Sequence, residues 1–300
     1  MELSKLCLGT AQLGMNYGIK NATGKPSFEE SQKIVDTAIK GGINAFDTAP
    51  AYGNSEEVLG KCLVGHDRSK LTIISKVHPV DWSKSKDEIL NNLDMSIKKT
   101  LSDLGLKRIP VYLFHRFADI EKSGGLVLNE LRKYQAKGVI GKLGISIYDP
   151  AEAEAALNIE GMEVMQVPFN LIDKRLLANG FLKKAKQKGI TILARSVFLQ
   201  GLFFKKDIPA GLKEFIPYQK EIIRISGDND LSEEELALRY VLGIDDIDCA
   251  IIGAEITEQL AENIRHSKLP KLPANILKDI EKLGTAPEKV INPSLWGGLR

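Results

Sequence analysis

Residues 71–115, LTIISKVHPVDWSKSKDEILNNLDMSIKKTLSDLGLKRIPVYLFH, contain the pattern that decides the fold. Two short apolar runs, LTIISKV and PVYLFH, flank a long amphipathic stretch. Ser85 and Glu88 have the capping-box spacing of a helix start, and the apolar residues that follow recur at helical intervals. Runs as continuously apolar as these two are typical of parallel strands that are covered on both faces. The segment therefore predicts a strand–helix–strand unit with parallel strands.

The same alternation fills the rest of the chain. Eight apolar runs alternate with amphipathic stretches, which predicts repeated βαβ units and a parallel sheet. Eight units favour a (β/α)₈ TIM barrel that forms one α/β domain over residues 1–300, and an open doubly wound sheet is the main alternative. The remaining six runs are KLCLGTA (5–11), INAFDTA (43–49), VIGKLGIS (139–146), EVMQVPF (163–169), GITILARS (189–196) and DCAIIGA (248–254).

Two segments exceed this repeat. Residues 203–230 form a charged insertion after the seventh strand, and residues 268–300 form a proline-containing tail. Long excursions on the strand-end side of a barrel usually serve binding. We expect the tail to cover or flank the site, with Trp296 contributing to the substrate pocket.

The totals exclude several classes of protein. Forty-one basic and 39 acidic residues leave a net charge of +2, which offers no electrostatic case for binding nucleic acid or a membrane surface. The three cysteines are far apart in the sequence, so neither a disulfide framework nor a metal site is indicated. The first residues lack the pattern of a signal peptide, and no apolar run reaches the length of a membrane span. We expect a cytoplasmic protein; the pattern does not specify an oligomeric state.

Polar side chains lie at, or just after, the predicted strand ends. In a TIM barrel these positions surround the active site. The residues selected on this ground are Asp47, Tyr52, Lys76, His115, Ser146, Gln166, Arg195 and Ser196.

Four of these residues form a plausible proton-transfer set. Tyrosine titrates near a pKa of about 10, and a neighbouring ammonium such as that of Lys76 lowers this value. Asp47 would hold the lysine charged, and a neutral His115 would donate a hydrogen bond to a carbonyl oxygen. Tyr52 would then be the general acid of a reduction. Each of these residues alone also fits a structural role, but their placement together at successive strand ends favours a catalytic role.

The sequence resembles the aldo-keto reductase family. FDTAPAYGNSEEVLG (46–60), SKV (75–77) and YLFHR (112–116) match the family motifs around its aspartate and tyrosine, its lysine and its histidine. The likeness continues through GKLGIS, MQVPFN, ARSVFLQGLF and IIGAEITEQLAEN, and so covers residues 3–265. It implies that Asp47, Tyr52, Lys76 and His115 are the catalytic tetrad. It also implies NADP(H) or NAD(H) as cofactor without a Rossmann unit, and no GxGxxG follows a strand here.

The resemblance also implies positions for the cofactor. Ser146 and Gln166 would hold the nicotinamide carboxamide, and Ser196 through Gly201 would meet the pyrophosphate. A helix that starts near Thr257 would offer free N–H groups to an anion. The chain departs from the family at Ile147, where asparagine is usual, and at Arg195, where an aromatic residue commonly stacks on the nicotinamide. The adenosine end would be surrounded by Gly253, Ala254, Gln259, Glu262 and Asn263.

These features predict an oxidoreductase that reduces a small aldehyde or ketone, sugar-derived ones included, to the alcohol. A regulatory or sensor protein that binds the cofactor with little turnover is the alternative. Glu255, Glu258 and Glu262 stand where NADPH-selective relatives place a cation, so we expect NADH to be used well. The aromatic candidates for the substrate pocket are Tyr17, Trp82, Phe117, Tyr148, Phe198 and Trp296.

Overall fold

Eight parallel strands form a closed barrel within residues 2–21 and 23–298, the part of the chain that this computed structural model describes. Each strand pairs with the next, and β1 also pairs with β8, which closes the sheet and rules out the open alternative. The strands are β1 (Leu6–Gly9), β2 (Ala45–Asp47), β3 (Thr72–Lys76), β4 (Ile109–Phe114), β5 (Ile140–Ser146), β6 (Val164–Pro168), β7 (Thr191–Arg195) and β8 (Cys249–Ile252).

Helices connect the strands and pack around the outside of the barrel. The α-helices are α1 (Ala11–Gly14), α2 (Phe28–Lys40), α3 (Ser55–Cys62), α4 (Lys86–Leu104), α5 (Phe117–Glu121), α6 (Leu126–Ala136), α7 (Pro150–Ala156), α8 (Arg175–Ala178), α9 (Phe181–Gln187), α10 (Ile216–Asp228), α11 (Glu233–Leu242), α12 (Thr257–Ser267), α13 (Ala274–Lys282) and α14 (Glu288–Ile291). Short 3₁₀ helices occupy Arg68–Lys70, Leu199–Phe204, Ala210–Phe215 and Pro293–Gly298. None of the described helices is long and apolar enough to cross a membrane.

Local sequence explains where the longer helices begin. Ser85 and Glu88 form both bonds of a capping box at the start of α4, and Gly105 ends that helix in a left-handed conformation. The Ser27 hydroxyl accepts from the Glu30 N–H at the start of α2. The Glu30 carboxylate does not return to Ser27, however, because it bonds a different helix.

The barrel interior is filled by small and branched side chains. They pack against one another as a small apolar cluster inside the barrel, so the interior is a packed core and not a channel. This cluster consists of Cys7, Ala45, Ile74, Val111, Leu113, Val164, Leu193 and Cys249.

The insertion predicted at 203–230 is largely helical, because the 3₁₀ turn at Ala210–Phe215 leads directly into α10. Two strand ends differ from the prediction. Strand β6 runs past Gln166 to Pro168, and β4 ends one residue before His115. The predicted domain and tail also include Met1, Ala22, Leu299 and Arg300, which lie outside the described residues.

Candidate active site

A cleft of about 820 Å³ opens at the carboxyl ends of the strands. One end lies over the tops of β2, β4 and β5, and the other extends along the loop after β7 to α12. Twelve of the predicted site residues line the cleft, whereas Lys76 and Ala254 are buried and do not line it. The lining residues are Asp47, Tyr52, His115, Ser146, Gln166, Arg195, Ser196, Gly201, Gly253, Gln259, Glu262 and Asn263.

Asp47 and Lys76 form a buried ion pair at the floor of the cleft. The Lys76 ammonium donates to Asp47 Oδ1 at 2.7 Å and to the Thr48 carbonyl at 3.0 Å. The same Oδ1 accepts from the Gln166 side-chain amide at 2.7 Å. Lys76 has no exposed surface and Asp47 is 4% exposed, so both charges are kept in place by one another and by these bonds.

Tyr52 packs directly on this pair. The Lys76 ammonium lies 4.8 Å from the centre of the Tyr52 ring, and the His115 ring meets the tyrosine edge-on at a centroid distance of 5.6 Å. No described residue forms a hydrogen bond with the Tyr52 hydroxyl, including Lys76 and His115. The hydroxyl is thus left available to a ligand.

The pKa of Tyr52 is raised well above its usual value, where the sequence predicted a lowered one. Burial disfavours the phenolate and is the largest cause, and the nearby Asp47 carboxylate adds to it. The Arg195 guanidinium opposes the rise. Lys76 does not bring the pKa down as predicted, because its charge is paired with Asp47 at 2.7 Å and burial outweighs its effect on the tyrosine.

His115 is held neutral. Burial first, and then the charges of Lys76 and Arg195, lower the pKa of its imidazole to about 3. Its Nδ1 atom is buried and has no hydrogen-bond partner among the described residues. A neutral imidazole carries one N–H, which can donate to a carbonyl oxygen.

The residues expected at the nicotinamide are arranged only in part as predicted. Ser146 ends β5 and faces the cleft, but the Gln166 amide is engaged with Asp47. Arg195 donates to the Ile147 carbonyl at 2.8 Å and to Ser196 Oγ at 3.1 Å. Its guanidinium lies 4.2 Å from the centre of the Tyr148 ring, and its Nε atom is buried without a partner in the described chain.

The loop after β7 has an unusual backbone. Ser196, Leu199 and Gln200 have positive φ values of 61°, 48° and 54°, and Gly201 follows at 85°. Left-handed conformations at residues other than glycine cost about 1–3 kcal/mol each and are concentrated at ligand-binding loops. The Gln200 carbonyl accepts from the Ile19 N–H, so the segment after β1 docks on this loop.

The far end of the cleft is acidic, and one N–H group at the start of α12 is already engaged. The Glu30 carboxylate accepts from the Thr257 N–H at 2.9 Å and from its hydroxyl at 2.7 Å. Of the N–H groups expected to be free for an anion near Thr257, that of Thr257 itself is therefore taken. Gln259 accepts from the Glu255 N–H, and Arg265 pairs with Glu262 at 2.8 Å.

The tail reaches the cleft, but not through its tryptophan. Pro293 and Ser294 line the opening. Trp296 is fully buried in the apolar core, and its indole N–H donates to the Lys289 carbonyl. An amphipathic ring with a single donor is satisfied by such a site, which explains why it turns away from the pocket.

Sequence reasoning missed several lining residues. Gln12 follows β1 and lies so close to Gly253 that a β-carbon there would stand 2.4 Å from its side-chain oxygen. Selecting polar residues just after the predicted strand ends could have found Gln12. Lys20 lines the cleft beside Gly201 only because the loop folds back from β1, and no local pattern signals that. Trp82, a pocket candidate, instead donates to Asp119.

The chain combines a closed parallel barrel with a buried Asp–Lys pair, a tyrosine and a neutral histidine at one end of an open cleft. Comparison with known proteins identifies the family that shares this fold. The model of the Aldo/keto reductase family matches residues 5–285, and the chain belongs to that family. It is therefore an NAD(P)H-dependent oxidoreductase. No group of three or more metal-binding side chains is found in the described part of the chain.

Relatives resemble the chain over most of its length. An uncharacterized oxidoreductase, YqkF, of Bacillus subtilis is 25% identical, and the alignment covers 94% of this chain and 92% of that protein. The NADH-specific methylglyoxal reductase of Escherichia coli is 26% identical over 88% of this chain and 90% of its own. The holo form of aldo-keto reductase AKR11C1 from Bacillus halodurans superposes with a TM-score of 0.77 at 23% identity, covering 98% of this chain and 95% of that one.

Proposed function

We propose that the protein reduces a small aldehyde or ketone to the alcohol, with Tyr52 as the general acid. The observation that carries this proposal is the packing of one tyrosine between a buried ammonium, at 4.8 Å from its ring centre, and a neutral imidazole at the end of a cleft. Its hydroxyl has no bond to the described residues and can meet a substrate oxygen. The Tyr52 hydroxyl is therefore positioned to donate a proton to the oxygen of a carbonyl substrate.

The cleft also fits a nicotinamide dinucleotide. Its volume of about 820 Å³ falls in the upper part of the usual range for cofactor sites. Two buried nitrogens, His115 Nδ1 and Arg195 Nε, have no hydrogen-bond partner among the described residues and lie at one end of the cleft, and the strained loop Ser196–Gly201 lies along it. Ser146 and Arg195 would hold the nicotinamide end, the loop would hold the pyrophosphate, and Gln259 and Asn263 would hold the adenosine end.

A reduced nicotinamide bound there supplies the hydride for the carbonyl carbon. Tyr52 gives its phenolic proton to the carbonyl oxygen, and solvent returns a proton to the tyrosine after release. His115 donates a hydrogen bond to the same oxygen and orients it. Lys76 stabilises the phenolate that forms, and Asp47 keeps the ammonium charged and in position.

The Tyr52 hydroxyl is protonated at neutral pH, which is the form that reduction needs, because tyrosine ordinarily titrates near a pKa of about 10 and burial raises the pKa of Tyr52 above that. Alcohol oxidation requires the phenolate as base, and this form is scarce at neutral pH.

We predict a pH profile that follows from these two groups. Between roughly pH 5 and 8, kcat/KM for reduction should stay flat, because His115 titrates near 3 and Tyr52 far above the range. Oxidation of the alcohol should rise with pH over the same interval. Initial rates in both directions, measured in a constant-ionic-strength buffer series, test this. An inflection near 6.5 that disappears in His115→Gln would show that the histidine is charged in the working enzyme.

The end of the cleft near α12, which would hold the adenosine, fits NADH better than NADPH. Glu30 occupies the N–H group at the start of α12, and Glu255, Glu258 and Glu262 line the cleft nearby. A 2′-phosphate placed there meets carboxylates, whereas a free 2′-hydroxyl can donate to one. Arg265 is already paired with Glu262. A relative in Escherichia coli is named as NADH-specific, which agrees with this assignment.

We predict that NADH binds at least as tightly as NADPH. Fluorescence titration of both reduced cofactors measures the two dissociation constants directly. The matched variant Glu30→Gln keeps an oxygen acceptor for Thr257 and removes the negative charge. It should improve NADPH binding by about threefold or more and leave NADH binding unchanged. A preference of the wild-type protein for NADPH above about 100-fold, equal to roughly 2.7 kcal/mol, would contradict this assignment.

Turnover separates an enzyme from a protein that only senses the cofactor. Purified protein should consume NADH with a panel of small aldehydes, methylglyoxal and sugar-derived aldehydes included, and form the corresponding alcohols. Cofactor binding without turnover of any compound would favour the sensor and overturn the proposed reaction.

A further inference from the structure

Arg195 is a cation at the reaction end of the cleft without an ion-pair partner. Its two terminal nitrogens donate to the neutral Ile147 carbonyl and Ser196 hydroxyl, and its Nε atom is buried and unbonded. The ring of Tyr148 supports the guanidinium from one side at 4.2 Å. Throughout residues 2–21 and 23–298, no carboxylate lies within ion-pair distance of it.

Two other cations at the cleft are paired with carboxylates, while Lys20, near Gly201, lies over the Phe204 ring. Lys76 bonds Asp47 at 2.7 Å, and Arg265 bonds Glu262 at 2.8 Å. Arg195 is partly buried, and its guanidinium is held in place by the Ile147 carbonyl, the Ser196 hydroxyl and the Tyr148 ring. It therefore acts as a fixed positive charge on whatever occupies the cleft. Its influence reaches the reacting end, since it lowers the pKa of His115 and opposes the rise in that of Tyr52.

The two redox forms of a nicotinamide differ in charge. The oxidised ring is a cation, whereas the reduced ring is neutral, and the rest of the dinucleotide is identical in both. A fixed cation beside the ring therefore destabilises the oxidised form, while its effect on the phosphates is the same for both forms.

We propose that Arg195 makes the cleft select the reduced dinucleotide over the oxidised one. The proposal rests on the proposed function, because it places a nicotinamide next to Tyr52. A tenfold selectivity raises the midpoint potential of the bound couple by about 30 mV. The oxidised product then leaves readily and competes weakly with the incoming reduced cofactor. The protein works as a reductase even where oxidised cofactor is in excess.

The test is the ratio of the dissociation constants of NAD⁺ and NADH, measured by titration calorimetry without substrate. The wild-type protein should bind NADH about tenfold or more tightly than NAD⁺. In Arg195→Gln this ratio should fall by about tenfold, and in Arg195→Lys, which retains the charge, most of it should remain. Arg265→Gln is the matched control. It removes a paired cation at the far end of the cleft, and it should shift both affinities without changing the ratio.

Two results would overturn the proposal. One is a wild-type ratio near one, which needs no variant and so does not depend on how the substitutions fold. The other is an unchanged ratio in Arg195→Gln when both forms still bind. If that variant instead raises KM only for anionic aldehydes, Arg195 serves the substrate and the proposal is wrong. A wild-type protein that binds neither form would refute the proposed function itself.

Discussion

Tyr52→Phe is expected to lower kcat for aldehyde reduction by about 10²–10⁴-fold while cofactor affinity stays within about twofold of the wild-type value. The substitution removes one hydroxyl and keeps the ring that packs on Lys76 and His115. No described residue loses a hydrogen bond, so the fold and the cleft should be unchanged. The loss therefore falls on the proton-transfer step.

The matched control is Tyr148→Phe. This variant removes a hydroxyl from the same cleft but keeps the ring beneath Arg195. It should retain most of kcat. Steady-state rates with NADH, together with cofactor titration, separate the two variants. Near-wild-type turnover by Tyr52→Phe would show that the proton comes from another group.

Lys76→Met should destabilise the protein by about 3–5 kcal/mol and abolish most activity. The substitution preserves side-chain length but leaves the Asp47 carboxylate buried at 4% exposure, with the Gln166 amide as its remaining side-chain partner. An uncompensated buried carboxylate is costly, and without the ammonium the phenolate of Tyr52 loses its support. Urea unfolding followed by circular dichroism measures the free energy of unfolding.

A double-mutant cycle shows whether the two charges act as a pair. Asp47→Asn removes the carboxylate charge and keeps an oxygen for Gln166. Asp47→Asn combined with Lys76→Met should be more stable than Lys76→Met alone, because no buried charge remains. Strict additivity of the two single effects would mean that the ion pair contributes nothing to folding.

The barrel was predictable from sequence because its signals are local and repeated. Apolar runs covered on both faces, together with caps such as Ser85 and Asp149, set the order of strands and helices. Strand-end positions then placed Asp47, Tyr52 and His115 around one opening, since parallel strands present their carboxyl ends on the same side.

The predictions that the structure did not match depend on how the chain packs in three dimensions. The pKa of Tyr52 is set by burial and by the balance of nearby charges, and no spacing along the chain encodes that balance. Glu30 bonds the start of α12 from more than two hundred residues away, so the sequence could not show that the Thr257 N–H is engaged. Trp296 donates to the carbonyl of Lys289, only seven residues away, but its ring turns inward because it packs in the apolar core that tertiary folding assembles.

The central claim is that hydride moves from a nicotinamide held in this cleft to a carbonyl carbon. The most direct measurement uses NADH that carries deuterium at both positions of C4, with an aldehyde that the purified protein turns over. Mass spectrometry of the product alcohol then reports the origin of the new hydrogen. If hydride moves from this nicotinamide, each alcohol formed should carry one deuterium bound to carbon. Alcohol without deuterium, or consumption of NADH without any alcohol, would contradict it.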